Sequence, residues 1–192
     1  MEYTPKTFAL PELEGLSQEQ IDVHLGLYQG YVKHVNLIRS KIKDLTERGE
    51  EAYVINELRR RFAFEFDGMR MHEYYFEQFE GGATTSSSGT ILEKLATEKY
   101  GSVDGLIKHA TEVSGTRGIG WTVVYLDPKA NTLHTTFVMD HELGQLAGLP
   151  IILAIDLWEH AYMVDYVPSQ KNLYVEAFFK NLNWEVVESR LS

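Results

Sequence analysis

The stretch Ala154-Ile155-Asp156-Leu157-Trp158-Glu159-His160-Ala161-Tyr162 closes an apolar run that begins at Leu149. The run reads as a buried strand, with Pro150 confined to its start. Directly behind it stand a carboxylate and an imidazole four residues apart. On a helix, that spacing puts both side chains on one face, where they can bind a single ion. A buried Asp and a buried His each need a partner, because burial strips their hydration without replacing it. The bland alternative is an Asp that caps a helix and an unrelated structural His, and the spacing D-x-x-x-H alone does not decide between the two.

Upstream, two β-rich segments, Gly120–Leu126 and Thr132–Met139, flank the turn chemistry of Asp127-Pro-Lys-Ala-Asn. Short helices are expected at about 90–98 and 103–114. Before them, residues 81–91 (GGATTSSSGTI) carry Gly, Ser and Thr without an apolar period and read as a linker. Further back, Ile21, His24, Leu25, Tyr28, Tyr31, Val32, Val35 and Ile38 recur at steps of three and four. They predict a helix from Gln18 to about Asp44, with Ser17 and Gln20 as a capping box. A second helix is expected from about Ala52 to Phe79, joined to the first by a short turn into an antiparallel hairpin. Downstream, helices are expected at about 157–165 and 169–190. The reading is α+β: an N-terminal helical hairpin (1–85), then an α+β unit (86–192) with a three-stranded antiparallel sheet.

The composition limits the chemistry. Of 192 residues, 44% are hydrophobic and 24% charged, the profile of a folded soluble domain. With no cysteine, thiolate ligands, disulfides and thiol nucleophiles are excluded, so a metal must be held by His and carboxylates. The formal net charge of −10 argues against nucleic acid as a partner. No apolar run approaches the roughly 18 residues that cross a bilayer, and the opening residues lack a signal-peptide pattern, so cytoplasmic residence is expected.

Asp156-Leu-Trp-Glu-His-Ala-Tyr162 closely resembles the signature of the iron/manganese superoxide dismutases, and the likeness extends along the chain. Thr7-Phe-Ala-Leu-Pro11-Glu-Leu13 is similar to that family's opening, and His24 with Tyr31-Val32 to its first helix. Met71-His72-Glu-Tyr-Tyr75-Phe76 resembles the second helix, Gly118-Ile-Gly-Trp121 the first strand, and Tyr174–Phe178 with Asn183-Trp184 the closing helices.

The resemblance implies one iron or manganese ion per subunit, held by His24, His72, Asp156 and His160, that dismutes superoxide to oxygen and hydrogen peroxide. It implies that Tyr31 is a gateway phenol and that Trp121, Trp158 and Tyr75 wall the pocket. It also implies a homodimer, with Glu159 reaching His160 of the other subunit. The family's Gln that hydrogen-bonds the metal-bound solvent is missing. Its helical position is Gly68, and the loop after the second β segment offers His141, with Asp140 as the alternative one residue away. Two polar positions of the family's subunit contact are here Leu27 and Met163. His24 and Tyr31 stand one residue closer than the family spacing, as if a π-type bulge were absent. His34, His109 and His134 have no counterpart and are expected on the surface or sheet. Two other readings stay open: a zinc hydrolase using the same ligands, and a metal-binding relative without turnover. Iron and manganese are not distinguished.

Overall fold

The computed structural model describes residues 2–191. Two long helices come first, α1 (Gln18–Glu47) and α2 (Ala52–Glu77), packed against each other as a hairpin whose turn uses Gly49 at φ 69°. Helix α1 runs unbroken, without a π-type turn. Its apolar stripe, Ile21, Tyr28, Val32, Val35 and Ile38, is buried together with His24 and Gln20. Ser17 caps it by accepting from the Gln20 amide at 3.1 Å. The reciprocal half of the expected capping box does not form. The Gln20 side chain turns instead to the chain around His160, and Asp165 takes the Ser17 N–H at 2.7 Å.

Residues 81–90 cross to α3 (Ile91–Tyr100) and α4 (Val103–Ser114). The segment is pinned rather than slack, since Thr84 donates its N–H to the Leu182 carbonyl at 3.2 Å and its hydroxyl to Asn183 at 3.0 Å. Then come β1 (Gly120–Asp127), β2 (Thr132–Met139) and β3 (Ile151–Asp156), an antiparallel sheet in the order β2-β1-β3. The central strand starts at Gly120, whose φ of 152° and close approach to Val138 exclude a side chain; a Cβ there would lie 2.1 Å from the Val138 carbonyl oxygen. The register pairs Trp121 with Asp156 on one side and Val138 on the other. One end of the sheet therefore collects Trp121, Asp156 and, just past β2, His141.

The segments after β3 differ from expectation. No helix spans 157–165; there is a single 3-10 turn at Glu159–Ala161. The cause is local: Leu157 continues the sheet by donating to the Gly120 carbonyl at 2.8 Å, and the Asp156 carboxylate accepts the Trp158 N–H at 2.9 Å, which holds the chain extended at Trp158. The expected helix 169–190 divides into a 3-10 turn at Pro168–Gln170, α5 (Lys171–Asn181) and α6 (Trp184–Ser189). The break falls where Asn183 caps α6 and its own N–H donates to the Gln78 carbonyl at 2.8 Å.

Both halves share one hydrophobic core. At their junction, fully buried Gln78 at the end of α2 acts like a short strand beside β3. Its amide donates to the Ala154 carbonyl at 2.8 Å and accepts the Ala154 N–H at 2.9 Å. Largely buried Arg190 seals the same junction by donating to the carbonyls of Tyr74 and Ile152 and to Gln78. Among the described residues, no helix is long and apolar enough to cross a membrane.

Candidate metal centre

Helical periodicity brings His24 to the buried face of α1 and His72 to that of α2, and the two rings meet edge to face at 5.0 Å. Asp156, the last residue of β3, and His160, in the 3-10 turn, approach from the sheet. Asp156 and His160 thus meet across a turn, not along one helical face as the spacing suggested. The four donors lie within 4.8 Å of one another. Asp156 Oδ2 stands 3.0 Å from His24 Nε2, 3.2 Å from His160 Nε2 and 3.5 Å from His72 Nε2. Three ring nitrogens thus converge on one carboxylate oxygen, and His72 Nε2 and His160 Nε2 face each other at 3.3 Å. An ion pair needs one imidazole; a coordination shell needs this many.

The supports beneath the donors fit that reading. His72 Nδ1 lies 2.6 Å from the Gly68 carbonyl, to which it donates, so its Nε2 presents a lone pair to the cluster. His24 Nδ1 has no hydrogen-bond partner, alone in this among the buried side-chain nitrogens and oxygens of the described residues. On that side the ring is held by packing, against Tyr75 and Phe76, each at 4.8 Å. Tyr174 donates to the Asp156 carbonyl at 2.7 Å and fixes the end of β3.

Electrostatics leave His24, His72 and Asp156 in the protonation states that a metal requires. Burial lowers the His24 and His72 imidazoles below their ordinary pKa, against the attraction of Asp156, so both rings are neutral. Burial opposes ionisation of Asp156, but the imidazoles of His160 and His24 reverse this and hold its carboxyl well below the usual carboxylate range. Three imidazoles with one carboxylate form a hard nitrogen and oxygen set that suits iron or manganese.

Around the cluster stand the expected aromatic rings: Trp121 is 5.2 Å from His72, Trp158 stacks on His160 at 5.7 Å, and Tyr75 touches His24. Tyr31 packs on His72 at 5.0 Å and lies directly over Gly68, where a Cβ would come within 2.6 Å of its ring. A side chain at position 68 is thus excluded while Tyr31 keeps this place. The loop fills the gap, with buried His141 stacked on Trp158 at 4.8 Å. The Trp121 indole N–H donates to His141 Nδ1 at 2.9 Å, which leaves the ring proton on Nε2, 2.8 Å from the Tyr31 hydroxyl. Burial pushes His141 down to about 4, so it stays neutral, and burial raises the Tyr31 phenol well above its ordinary value. Asp140 turns away; at φ 53° it offers its carbonyl, not its carboxylate, to the Trp158 indole at 3.1 Å.

Of two further residues near the site, the sequence reading passes over Phe64 and gives Gln20 only a capping role. Phe64 meets His141 edge to face at 4.7 Å, and it lies four and eight residues before Gly68 and His72 on one face of α2. Gln20, one turn before His24, donates to the His160 carbonyl at 2.6 Å and accepts the Val164 N–H at 2.9 Å. A polar residue in an apolar stripe was the available signal in that case. His34, His109 and His134 lie away from the cluster with half-exposed side chains.

Residues 87–190 match the family described as iron/manganese superoxide dismutases, C-terminal domain. Over nearly the whole chain there is likeness to proteins named superoxide dismutase [Fe]. The Aquifex aeolicus protein is 32% identical over 97% of this chain and 89% of its own length. That of Saccharolobus solfataricus is 30% identical over 99% and 92%. Superoxide dismutase [Mn] 2 of Haloferax volcanii is 28% identical over 98% and 94%. With more than half the chain inside the family match and full-length relatives on either side of the iron/manganese divide, the chain belongs to the iron/manganese superoxide dismutase family.

Proposed function

We propose that this protein is a superoxide dismutase whose single iron or manganese ion is held by His24, His72, Asp156 and His160. The observation that carries the reading is the convergence of three Nε2 atoms on Asp156 Oδ2 inside an aromatic shell. The ion supplies the one-electron oxidation and reduction of superoxide. The chain's part is to hold the ligands in place through both electron transfers and to manage protons, since peroxide formation consumes them. Tyr31 Oη is the proton-holding group beside the pocket. His141, held by the Trp121 indole, positions that phenol through its Nε2–H. A single ring proton serves one good acceptor, so His141 would act on the surroundings of a bound ion chiefly through Tyr31.

In this reading the chain consists of a helical hairpin (1–85) and an α+β unit (86–192), each contributing two ligands, and works as a cytoplasmic homodimer. The second copy covers exposed Val23 and Leu27 on α1 with Met163 and Val164 beyond His160. Gln20 bonds the His160–Val164 segment to α1, which carries Val23 and Leu27. Glu159 is exposed beside His160, whose ring is 14% accessible and open to a carboxylate from the other copy. Glu159→Ala is expected to shift the dimer toward monomer in sedimentation at micromolar concentration; a monomeric wild type contradicts the arrangement. The activity is tested by loading the protein with iron alone and with manganese alone and following superoxide decay. At least one form is expected to consume superoxide catalytically, and fully metallated protein without turnover refutes the function.

A further inference from the structure

The loop that carries His141 is tied to β1 at two points. The Trp121 indole donates to His141 Nδ1 at 2.9 Å. Four residues along the strand, the buried Tyr125 phenol donates to Gln145 Oε1, four residues along the loop. The Tyr125 oxygen also accepts the Leu146 N–H. Gln145 then turns back and donates its amide to the His141 carbonyl at 3.1 Å. The turn's own backbone bonds join Met139 to Glu142 and Leu143, and Asp140 to Ile119. Among the described residues, the His141 carbonyl takes its hydrogen bond from Gln145. Ring and peptide of His141 are thus held by different fasteners, the ring by Trp121 and the peptide by the Tyr125–Gln145 pair.

We infer that Gln145 is a positioning residue for His141 and, through it, for the Tyr31 phenol; the inference rests on the dismutase reading above. The His141 Nε2 to Tyr31 contact is 2.8 Å, and a hydrogen bond weakens steeply once its angle opens. The residue before His141 sits at φ 53°, a conformation that a residue other than glycine holds only when its surroundings impose it. Released from Gln145, the 140–141 backbone can relax and carry the imidazole away from the phenol. Burial pushes the Tyr125 phenol up to about 12, so it keeps its proton and remains a donor across the working range. Gln145 shares a cleft of about 210 Å³ with Tyr125 and Asp67. The Asp67 carboxyl is already pushed up to about 6 by burial and by Glu142, so a neutral amide suits position 145 where another carboxylate would not.

The test is a double-mutant cycle on the protein loaded with iron or manganese, read in turnover, metal content and reduction potential. Gln145→Leu removes both hydrogen bonds. Gln145→Glu, measured at pH about 8 where the carboxylate is ionised, keeps the acceptor for Tyr125 and loses the donor for His141. Each is expected to lower turnover roughly three- to tenfold, the worth of one hydrogen bond, with metal content unchanged. Each also shifts the potential in the direction that His141→Ala does. In the His141→Ala background, Gln145→Leu then changes neither turnover nor potential further, because its route is gone. Additive losses, or a lower Tm with turnover and potential intact, mean a merely structural brace and overturn the inference. A second readout does not depend on activity: in zinc-loaded, diamagnetic protein, Gln145→Leu is expected to speed solvent exchange of the Trp121 indole N–H. Unchanged exchange removes the positioning role whatever the turnover. Loaded wild type that consumes no superoxide removes the dismutase reading, while faster exchange in the variant still sustains the hold of Gln145 on His141.

Discussion

The helical hairpin and the end of the sheet each bring two of the four clustered donors, but they do so by different means. On α1 and α2 the donors lie inside continuous helices, where the 3.6-residue period alone puts His24, His72 and Tyr31 on buried faces. On the sheet side nothing is periodic. Asp156 is where β3 ends, His160 follows in a 3-10 turn, and His141 comes after a residue at positive φ. The helices are rigid by their own hydrogen bonding, whereas the sheet-side donors depend on side chains that brace short, irregular backbone. The two regions are therefore expected to respond differently to substitution.

The most severe break is Asp156→Ala, since this carboxylate is the point on which both regions converge. Its loss removes the charge that faces three imidazoles and leaves His24 Nε2 without its 3.0 Å partner. Leaving a buried imidazole N–H without its acceptor costs about 1–3 kcal/mol. Metal content after purification is expected to fall to near zero and Tm to drop; stoichiometric iron or manganese in the variant would refute the assignment. Acid attacks the same point. His24 and His72 have folded pKa values below the ordinary 6.5, so the unfolded chain binds more protons as pH falls through that value. The depressed Asp156 carboxyl acts in the same direction at lower pH. Stability and metal retention are both expected to decline from about pH 6.5 downward, in thermal unfolding and in metal release to a chelator.

A finer test strikes the bracing rather than the donors. Gln20 belongs to a helix but serves the other region, tying the His160 carbonyl and the Val164 N–H to α1. Gln20→Leu keeps the volume and leaves both backbone groups unpaired, at about 1–3 kcal/mol for each. Because the damage falls on the His160 segment and not on His24, metal affinity is expected to fall about 10- to 100-fold, the usual cost of losing a support behind a ligand. Affinity equal to wild type in chelator competition would mean that His160 is placed by the turn itself.

Legibility in the sequence follows the same division. Both hairpin helices, their buried faces and the antiparallel sheet could be read from period and turn chemistry. The chain beyond Asp156 could not, because a carboxylate that accepts the Trp158 N–H and a strand that runs on through Leu157 both override helical spacing. Asp156 and His160 come together for a reason other than the one their spacing suggests: four residues bring them together around a turn, not along a helix. Gln20 had the spacing of a capping box, and its amide was captured by tertiary contacts that no local pattern records.

The smallest effect concerns the loop that carries His141, where sequence left a choice between two neighbouring residues. His141 is buried, accepts from Trp121 and meets Tyr31, while Asp140 offers the site only its carbonyl. Asp140→Asn keeps that carbonyl and tolerates the positive φ, so it is expected to leave stability, metal content and potential unchanged. His141→Ala leaves the Trp121 N–H unpaired in the interior, at about 1–3 kcal/mol, yet touches no clustered donor, so metal content stays near wild type. His141→Gln separates orientation from bulk. Its carbonyl can accept from Trp121 and its amide can donate to Tyr31, so it restores stability while adding a second donor proton that faces the pocket. That added proton is expected to move the reduction potential of the bound ion, since outer hydrogen bonds tune a metal site. The potential of each variant, measured beside its turnover against pH, decides the matter. If His141→Gln and His141→Ala both match wild type in potential and pH profile, the loop contributes packing alone and proton handling rests on the helical side.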